Sequence, residues 1–279
     1  ILQLFDIRGR LLQVNRGFYG IDPLIDFHVP ADGDYIVRLH DLTYSGGADH
    51  VYRLDIDSGP RVAFAVPSVI QAGRQARVQL FGWNLVKNGP AQGRTLQSVA
   101  VEIPADQARP RRRLPLRMHP SQMVVEGLAW QLPGGHAPVF IGVTDVPVIT
   151  SSTENQTPQT AQPIFCPCDI SGQLVRGDEQ HWYAIQAKRG EVLYLEGLGQ
   201  RIWSPVDLGI SILDASGKRV LFRCRDEPGN PGGLNLPTRH TDPSGRWVAP
   251  SDARYLVVVH NQAGSIHDDP RRLYRLIIR

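Results

Sequence analysis

The stretch Asp26 to Ile56, DFHVPADGDYIVRLHDLTYSGGADHVYRLDI, returns in altered form between Arg246 and Ile278, and this duplication constrains the fold more than any other feature. Setting Pro30 against Pro250 aligns PADGDYIVRLH with PSDARYLVVVH, with identity at Pro, Asp, Tyr, Val and His. YRLDI at Tyr52 to Ile56 answers YRLII at Tyr274 to Ile278, and LFDIRGRLL at Leu4 to Leu12 answers ILDASGKRV at Ile212 to Val220. The chain therefore reads as tandem modules.

The copies share a physical pattern as well as letters. Tyr35, Val37 and Leu39 alternate with Ile36, Arg38 and His40, and Tyr255, Val257 and Val259 alternate with Leu256, Val258 and His260. A two-residue period of β-branched and aromatic side chains predicts a strand packed on at least one face. Pro-x-Asp ahead of each run is turn chemistry, and Asp6 to Gly9 and Asp214 to Gly217 predict tight turns inside hairpins. With 27 glycines and 22 prolines the chain suits many turns between short strands. The expected class is all-β, built from tandem β-sandwich modules.

Leu4-x-Asp6-x-x-Gly9, then Pro-x-Asp-x-x-Tyr-x-Val, then Tyr-Arg-Leu resembles the bacterial pre-peptidase C-terminal domain, a small sandwich or jelly roll appended to secreted enzymes. In the second copy the likeness runs from Ile170 to Arg279 and takes in Gly177-Asp178, Trp182-Tyr183 and Ser204-Pro-Val-Asp207. RVAFAVPSVIQAGRQARVQLFGWNL, after Ser58-Gly59-Pro60, resembles the opening of an immunoglobulin-like TIG-type domain. Together the two resemble the module strings of large secreted proteins of planctomycete-type bacteria. The implied order is half a pre-peptidase-type sandwich at 1–57, an immunoglobulin-like sandwich at 58–149, a polar linker at 150–169, and a complete pre-peptidase-type sandwich at 170–279. Residues 1–57 correspond only to the back half of the second copy. The missing strands are expected upstream in the native protein or from a neighbouring chain. TSSTENQTPQTAQ, 150–162, is almost wholly polar and is expected to be flexible.

Candidate chemistry is sparse. Neither Gly-x-Ser-x-Gly nor His-Glu-x-x-His occurs, so no catalytic residues are assigned. His40 and His260 share one repeat position, but no second histidine lies two residues away on either strand, and a metal needs convergent ligands. The family resemblance implies calcium as the possible ion, with Asp178, Asp207 and Asp226 beside Glu227 as candidate ligands; turn-capping carboxylates are the other reading. Among Cys166, Cys168 and Cys224, either of the first two could reach Cys224 in a secreted protein, with Cys168–Cys224 the expected bridge, against three reduced thiols. Arg111, Arg112 and Arg113 form the basic cluster, able to meet an acidic polymer or to be a solvated loop. Of the tryptophans, Trp182 and Trp247 are expected in the core, and Trp203 is the exposed candidate for a sugar platform.

Net charge is +3, with positive charge scattered apart from that one cluster, which gives nucleic acid no support. No apolar run is long enough to span a bilayer. The expected function is that of non-catalytic extracellular binding and spacer modules of a larger exported bacterial protein. The partner would be an extracellular polymer, a cell-surface component or a protein. The alternative is an accessory part of a secreted peptidase or other hydrolase whose catalytic domain lies elsewhere.

Overall fold

The computed structural model describes residues 1–18, 20, 22–86, 96–109, 112–113, 125–135, 137–227, 229, 233, 240–264 and 267–279. Apart from one 3-10 turn at Gln200–Ile202, the regular structure among these is all strand. The first unit holds β1 (Leu2–Asp6), β2 (Leu11–Asn15) and β3 (Tyr35–Leu39) in one sheet ordered β2-β1-β3. The middle unit holds β4 (Arg61–Val66), β5 (Val69–Gln71), β6 (Ala76–Trp83), β7 (Gln97–Ile103), β8 (Arg112–Arg113), β9 (Glu126–Trp130) and β10 (Val139–Thr144). These make two sheets, β4-β6-β7 and β5-β10-β9-β8, closed over Val62, Ile70, Val78, Leu80, Leu128 and Ile141.

The last unit begins before its expected boundary. It comprises β11 (Val148–Thr150), β12 (Gln162–Pro163), β13 (Cys168–Gln173), β14 (Gln180–Ala187), β15 (Val192–Leu198), β16 (Leu208–Leu213), β17 (Val220–Arg223), β18 (Arg225–Glu227), β19 (His240–Val248), β20 (Ala253–Asn261) and β21 (Leu273–Ile278). Six strands form one sheet, β11-β13-β21-β15-β19-β18, and five form the other, β12-β14-β20-β16-β17. Between them lie Tyr183, Leu195, Ile210, Val257, Tyr274 and Leu276, all nearly or wholly buried. Each such apolar side chain withdrawn from water stabilises the fold by roughly 1.5–3 kcal/mol. Trp247 is in this core, as its repeat position opposite Phe27 predicts, and Trp182 is buried on the opposite face of β14.

The duplication is visible in three strands of each copy. The order β2-β1-β3 reproduces β17-β16-β20, and the register agrees: Leu4 faces Val37 as Ile212 faces Val257. Both hairpins carry an irregularity at the same place, Leu4/Phe5 and Ile212/Leu213. Gly9 and Gly217 sit at φ 80° and 72°, each donating its amide to the carbonyl of the Asp three residues earlier. That left-handed conformation is cheap only for glycine. Tyr35 donates its hydroxyl to Ala31 O at 2.9 Å and Tyr255 to Ser251 O at 2.7 Å, while Phe27 meets Tyr35 edge-on as Trp247 meets Tyr255.

Two expectations are corrected. The polar stretch 150–162 is not a free linker. Thr150 closes β11, which runs parallel to β13, and Gln162 opens β12, parallel to β14. Asn155 is fully buried and its carbonyl accepts the Trp182 amide at 2.7 Å, so the segment lies over the outer face of β14, where Ala161 packs with Trp182, Ala184 and Leu256. The Cys168–Cys224 bridge is not formed; all three cysteines are free. Cys168 starts β13 and Cys224 stands immediately before β18, four strand spacings away in the sheet order. At about 4.8 Å per spacing that is roughly 19 Å, far beyond the reach of a disulfide.

Candidate functional site

The most elaborate polar constellation lies where the middle and last units meet. Every residue of β21 from Leu273 to Leu276 is buried: Tyr274 and Leu276 face the sandwich core, whereas Arg275 points out of the other face of the six-stranded sheet. There it meets the middle unit instead of water. Its Nη2 lies 2.5 Å from Asp169 Oδ2 and its Nε 3.3 Å from Asp169 Oδ1, in an ion pair almost completely buried on both sides. Gly142 of β10 makes the approach possible, because a Cβ there would stand 2.5 Å from Arg275 Nη1. Beside it Ser171 Oγ accepts the Ser68 amide at 2.9 Å and lies 3.1 Å from Ser68 Oγ, all buried. The Asp169 amide donates to Pro147 O.

A cleft of about 390 Å³ opens along this seam, lined among others by Glu126, Asp145, Glu196, Arg201, Arg275 and Arg279. Its three arginines are already engaged. Arg201 holds Glu196 at 2.7 Å and Asp242 at 2.8 Å, Arg279 reaches Asp145 at 2.9 Å, and Arg275 holds Asp169. Arg275 Nη1 is nevertheless buried without a hydrogen-bond partner. Removing a guanidinium N–H from water without an acceptor is costly, so this donor has hydrogen-bonding capacity left at the seam.

A second network ties the supposed linker to the last sandwich. His181 Nδ1 lies 2.7 Å from Tyr274 Oη and 3.0 Å from Ser151 Oγ, and its Nε2 lies 3.2 Å from Glu179 Oε1. Tyr183 donates to Ser151 Oγ at 2.8 Å and also meets the Tyr274 hydroxyl. Burial pushes the His181 imidazole below its ordinary value, against the opposing pull of Glu179, and burial pushes the Tyr183 phenol up to about 12. A hydroxyl, an imidazole and a carboxylate in sequence resemble hydrolytic machinery. Here, however, the Ser151 oxygen is already crowded by Tyr183, Tyr274 and Asn155, so the group serves as a lock between elements.

The structure sets Asp207 within electrostatic reach of Asp226 and otherwise leaves the sequence-predicted residues dispersed. Asp207 precedes β16, where its pKa is raised first by burial and then by the Asp226 and Asp242 carboxylates. The Asp242 oxygens are spent on the amides of Gly199, Gln200 and Arg201 and on Arg201 Nε. Asp178 is exposed in the β13–β14 turn, 3.6 Å from Arg176. Among the described residues no three His, Cys, Asp or Glu side chains converge as metal ligands. Trp203 is half-buried in the left-handed conformation at the end of the 3-10 turn, its amide donating to Gln200 O. Arg111 lies outside the described residues, while Arg112 and Arg113 form β8 against β9. His40 follows β3 and stacks on Tyr44; His260 lies in β20 with its ring over Gly209, and its pKa is lowered by burial and by Arg223.

Sequence reading missed Arg275, Asp169, Ser68 and Ser171. One signal was present: Arg275 is the arginine of the repeated Tyr-Arg-Leu, matched by Arg53.

No family model and no curated protein matches the chain. Solved structures similar to it include the pre-peptidase C-terminal domain of a collagenase from Bacillus anthracis, at TM-score 0.32 and 13% identity, covering 43% of this chain and 94% of that one. PliG, a periplasmic inhibitor of g-type lysozyme from Aeromonas hydrophila, is similar at TM-score 0.25 and 14% identity, covering 48% and 98%. CorA, a surface-associated copper-binding protein of Methylomicrobium album BG8, is similar at TM-score 0.28 and 9% identity, covering 48% and 98%.

Proposed function

We propose that the chain is a set of non-catalytic binding and spacing modules of an exported bacterial protein, holding a partner region at a fixed distance and orientation from an extracellular polymer, cell-surface component or protein. The observation that carries this reading is the seam: the Asp169–Arg275 pair, the Ser68–Ser171 hydrogen bonds and the close approach at Gly142. A spacer works only if its joints do not flex. Breaking a buried ion pair on one side costs about 3–5 kcal/mol, so the joint resists bending. The middle unit here covers the Arg275 face of the last sandwich in place of solvent. No helix of the described residues is long and apolar enough to cross a membrane.

The reading is tested by backbone NMR relaxation on the whole chain. A common rotational correlation time for the middle and last units is the expected result. Separate, shorter correlation times for the two units would overturn the spacer. A glycan and matrix-protein array, read on wild type and on Arg275→Ala, then identifies the partner and shows whether its binding depends on the seam.

A further inference from the structure

The turn between β12 and β13 carries two cysteines that the fold treats in opposite ways. Ile164 is buried and its amide donates to Ala184 O, while Cys168 is wholly buried and stands opposite Ile278 of β21. Between these two anchored residues Phe165, Cys166 and Pro167 all project into solvent, Phe165 at 86% exposure. One sulfur of the pair is thus presented at the surface and the other is sealed in the sandwich core.

The two thiols touch. Their hydrogen bond holds the Cys166 thiol below its ordinary value, against burial and the Glu191 carboxylate, and raises the Cys168 thiol well above it, with burial adding to the rise. Cys168 is therefore the donor, and Cys166 is the sulfur on which negative charge settles. Cys224 is different: it is half-buried beside β18, and burial pushes its thiol up to about 12. The thiolate, not the thiol, attacks sulfur. An accessible cysteine of lowered proton affinity, poised next to a second one that can displace what it captures, is the arrangement of reversible thiol chemistry.

We propose that Cys166 and Cys168 form a thiol–disulfide exchange site whose substrate is the disulfide of a low-molecular-weight thiol. The Cys166 thiolate bonds to one sulfur of the substrate as the S–S bond breaks, and the departing thiolate takes a proton from water. The mixed disulfide carries no charge on Cys166, which removes the largest influence holding the proton on Cys168. Cys168, already in contact with the Cys166 sulfur, then attacks it. The Cys166–Cys168 bond forms, the bond to the captured thiol breaks, and the Cys168 proton leaves with that thiol. Two cysteine thiols are oxidised to one disulfide while the substrate is reduced to two thiols. Residues two apart close a small ring, and strained or exposed disulfides are the labile ones, so excess thiol returns the pair to its reduced form.

The test uses the whole chain, reduced beforehand and then exposed to glutathione disulfide at neutral pH, with intact mass and thiol alkylation followed in time. The wild type is expected to lose two thiols together and to end lighter by two hydrogens, with Cys224 still alkylatable after denaturation. Reaction at Cys166 should be roughly ten-fold or more faster than at Cys224. Cys168→Ala should halt at one glutathionyl group on Cys166, and Cys166→Ser should react no faster than Cys224. A wild type that ends with glutathione still attached to Cys166 would overturn the proposal, since the second cysteine would not be resolving the first. So would a bridge that includes Cys224, or a rate that survives Cys166→Ser. Cys166→Ser alters an exposed side chain, so it and the wild-type time course decide even if Cys168→Ala does not fold.

Discussion

Between the two copies of the module nearly every local device is the same and nearly every burial is different. Asp6 and Asp214 gather the amides of their turns, Gly9 and Gly217 take the same left-handed step, and Tyr35 and Tyr255 close the same corner. Yet Arg53 pairs with Asp55 in open solvent while Arg275 is sealed against Asp169. The repeated letters therefore specify turns and register, which a hairpin can satisfy alone. Burial is specified by strands that lie elsewhere in the chain.

The largest contrast is expected at the repeated arginine. Arg275→Ala leaves Asp169 charged, buried and unpaired, which costs about 3–5 kcal/mol. Arg53→Ala removes an exposed pair worth at most about 1 kcal/mol. Urea denaturation followed by tryptophan fluorescence, with Trp182 and Trp247 reporting on the last sandwich, measures the first loss. Comparable costs at the two positions would refute the idea that the seam makes them different. Replacing both partners, Asp169→Leu with Arg275→Met, should recover most of the stability, because it removes the orphaned charge along with its partner.

Leu256→Ala and Ile36→Ala come next. A fully buried aliphatic side chain cut to alanine costs about 2–5 kcal/mol, whereas a surface substitution stays within about 0.5 kcal/mol. If Ile36→Ala proved as damaging as Leu256→Ala, the open edge of β3 would have to be covered in solution.

These contrasts also show what could be read from the letters alone. Alternation at 35–39 and 255–259, turn residues at Gly9 and Gly217, and the placement of Trp182 and Trp247 were legible, since each depends on neighbours along the chain. The order of 150–162 was not. β11 and β12 are three and two residues long, too short for a period, and the segment is fixed by polar contacts such as the Asn155 carbonyl on the Trp182 amide and Gln162 bridging to Ser152 and Thr150. Composition reports such a stretch as solvated because it cannot see the outer face of β14 that needs covering. The seam was hidden for a related reason, as Ser68, Ser171 and Gly142 are small or polar and lie far apart in sequence. The cysteine pairing failed on topology: Cys168 opens β13 and Cys224 immediately precedes β18, and those two strands of one sheet are separated by β21, β15 and β19.

The matched glycines sharpen the comparison at smaller energies. A left-handed conformation costs an L-residue roughly 1–2 kcal/mol, so Gly9→Ala should destabilise the first hairpin by about that much, since nothing stands within 4 Å of the added methyl. Gly217→Ala should cost more, because its methyl would meet Pro158 at 2.7 Å. Thermal melts of the two variants check the order. Equal effects would mean that the segment around Pro158 moves aside, contrary to the tight cover it forms.

Acid provides the mildest distinction. In the last sandwich burial holds the His181 proton affinity below the ordinary 6.5, with Glu179 pulling upward, Arg176 adding to the depression, and Tyr274 and Ser151 facing Nδ1. The unfolded chain therefore takes up the proton first as pH falls through about 6.5, and stability that is fully present above that value declines below it. His260, depressed by burial and by Arg223 against the pull of Asp207, acts in the same direction. Among the described residues the first copy has no such network, and Tyr52, the counterpart of Tyr274, stands in solvent. His181→Gln should flatten part of the slope of stability against pH between about 7 and 5 and leave the part due to His260. A slope unchanged by that substitution would show that the imidazole is not held neutral by its surroundings, and with it would go the reading of Ser151, His181 and Tyr274 as a closed lock.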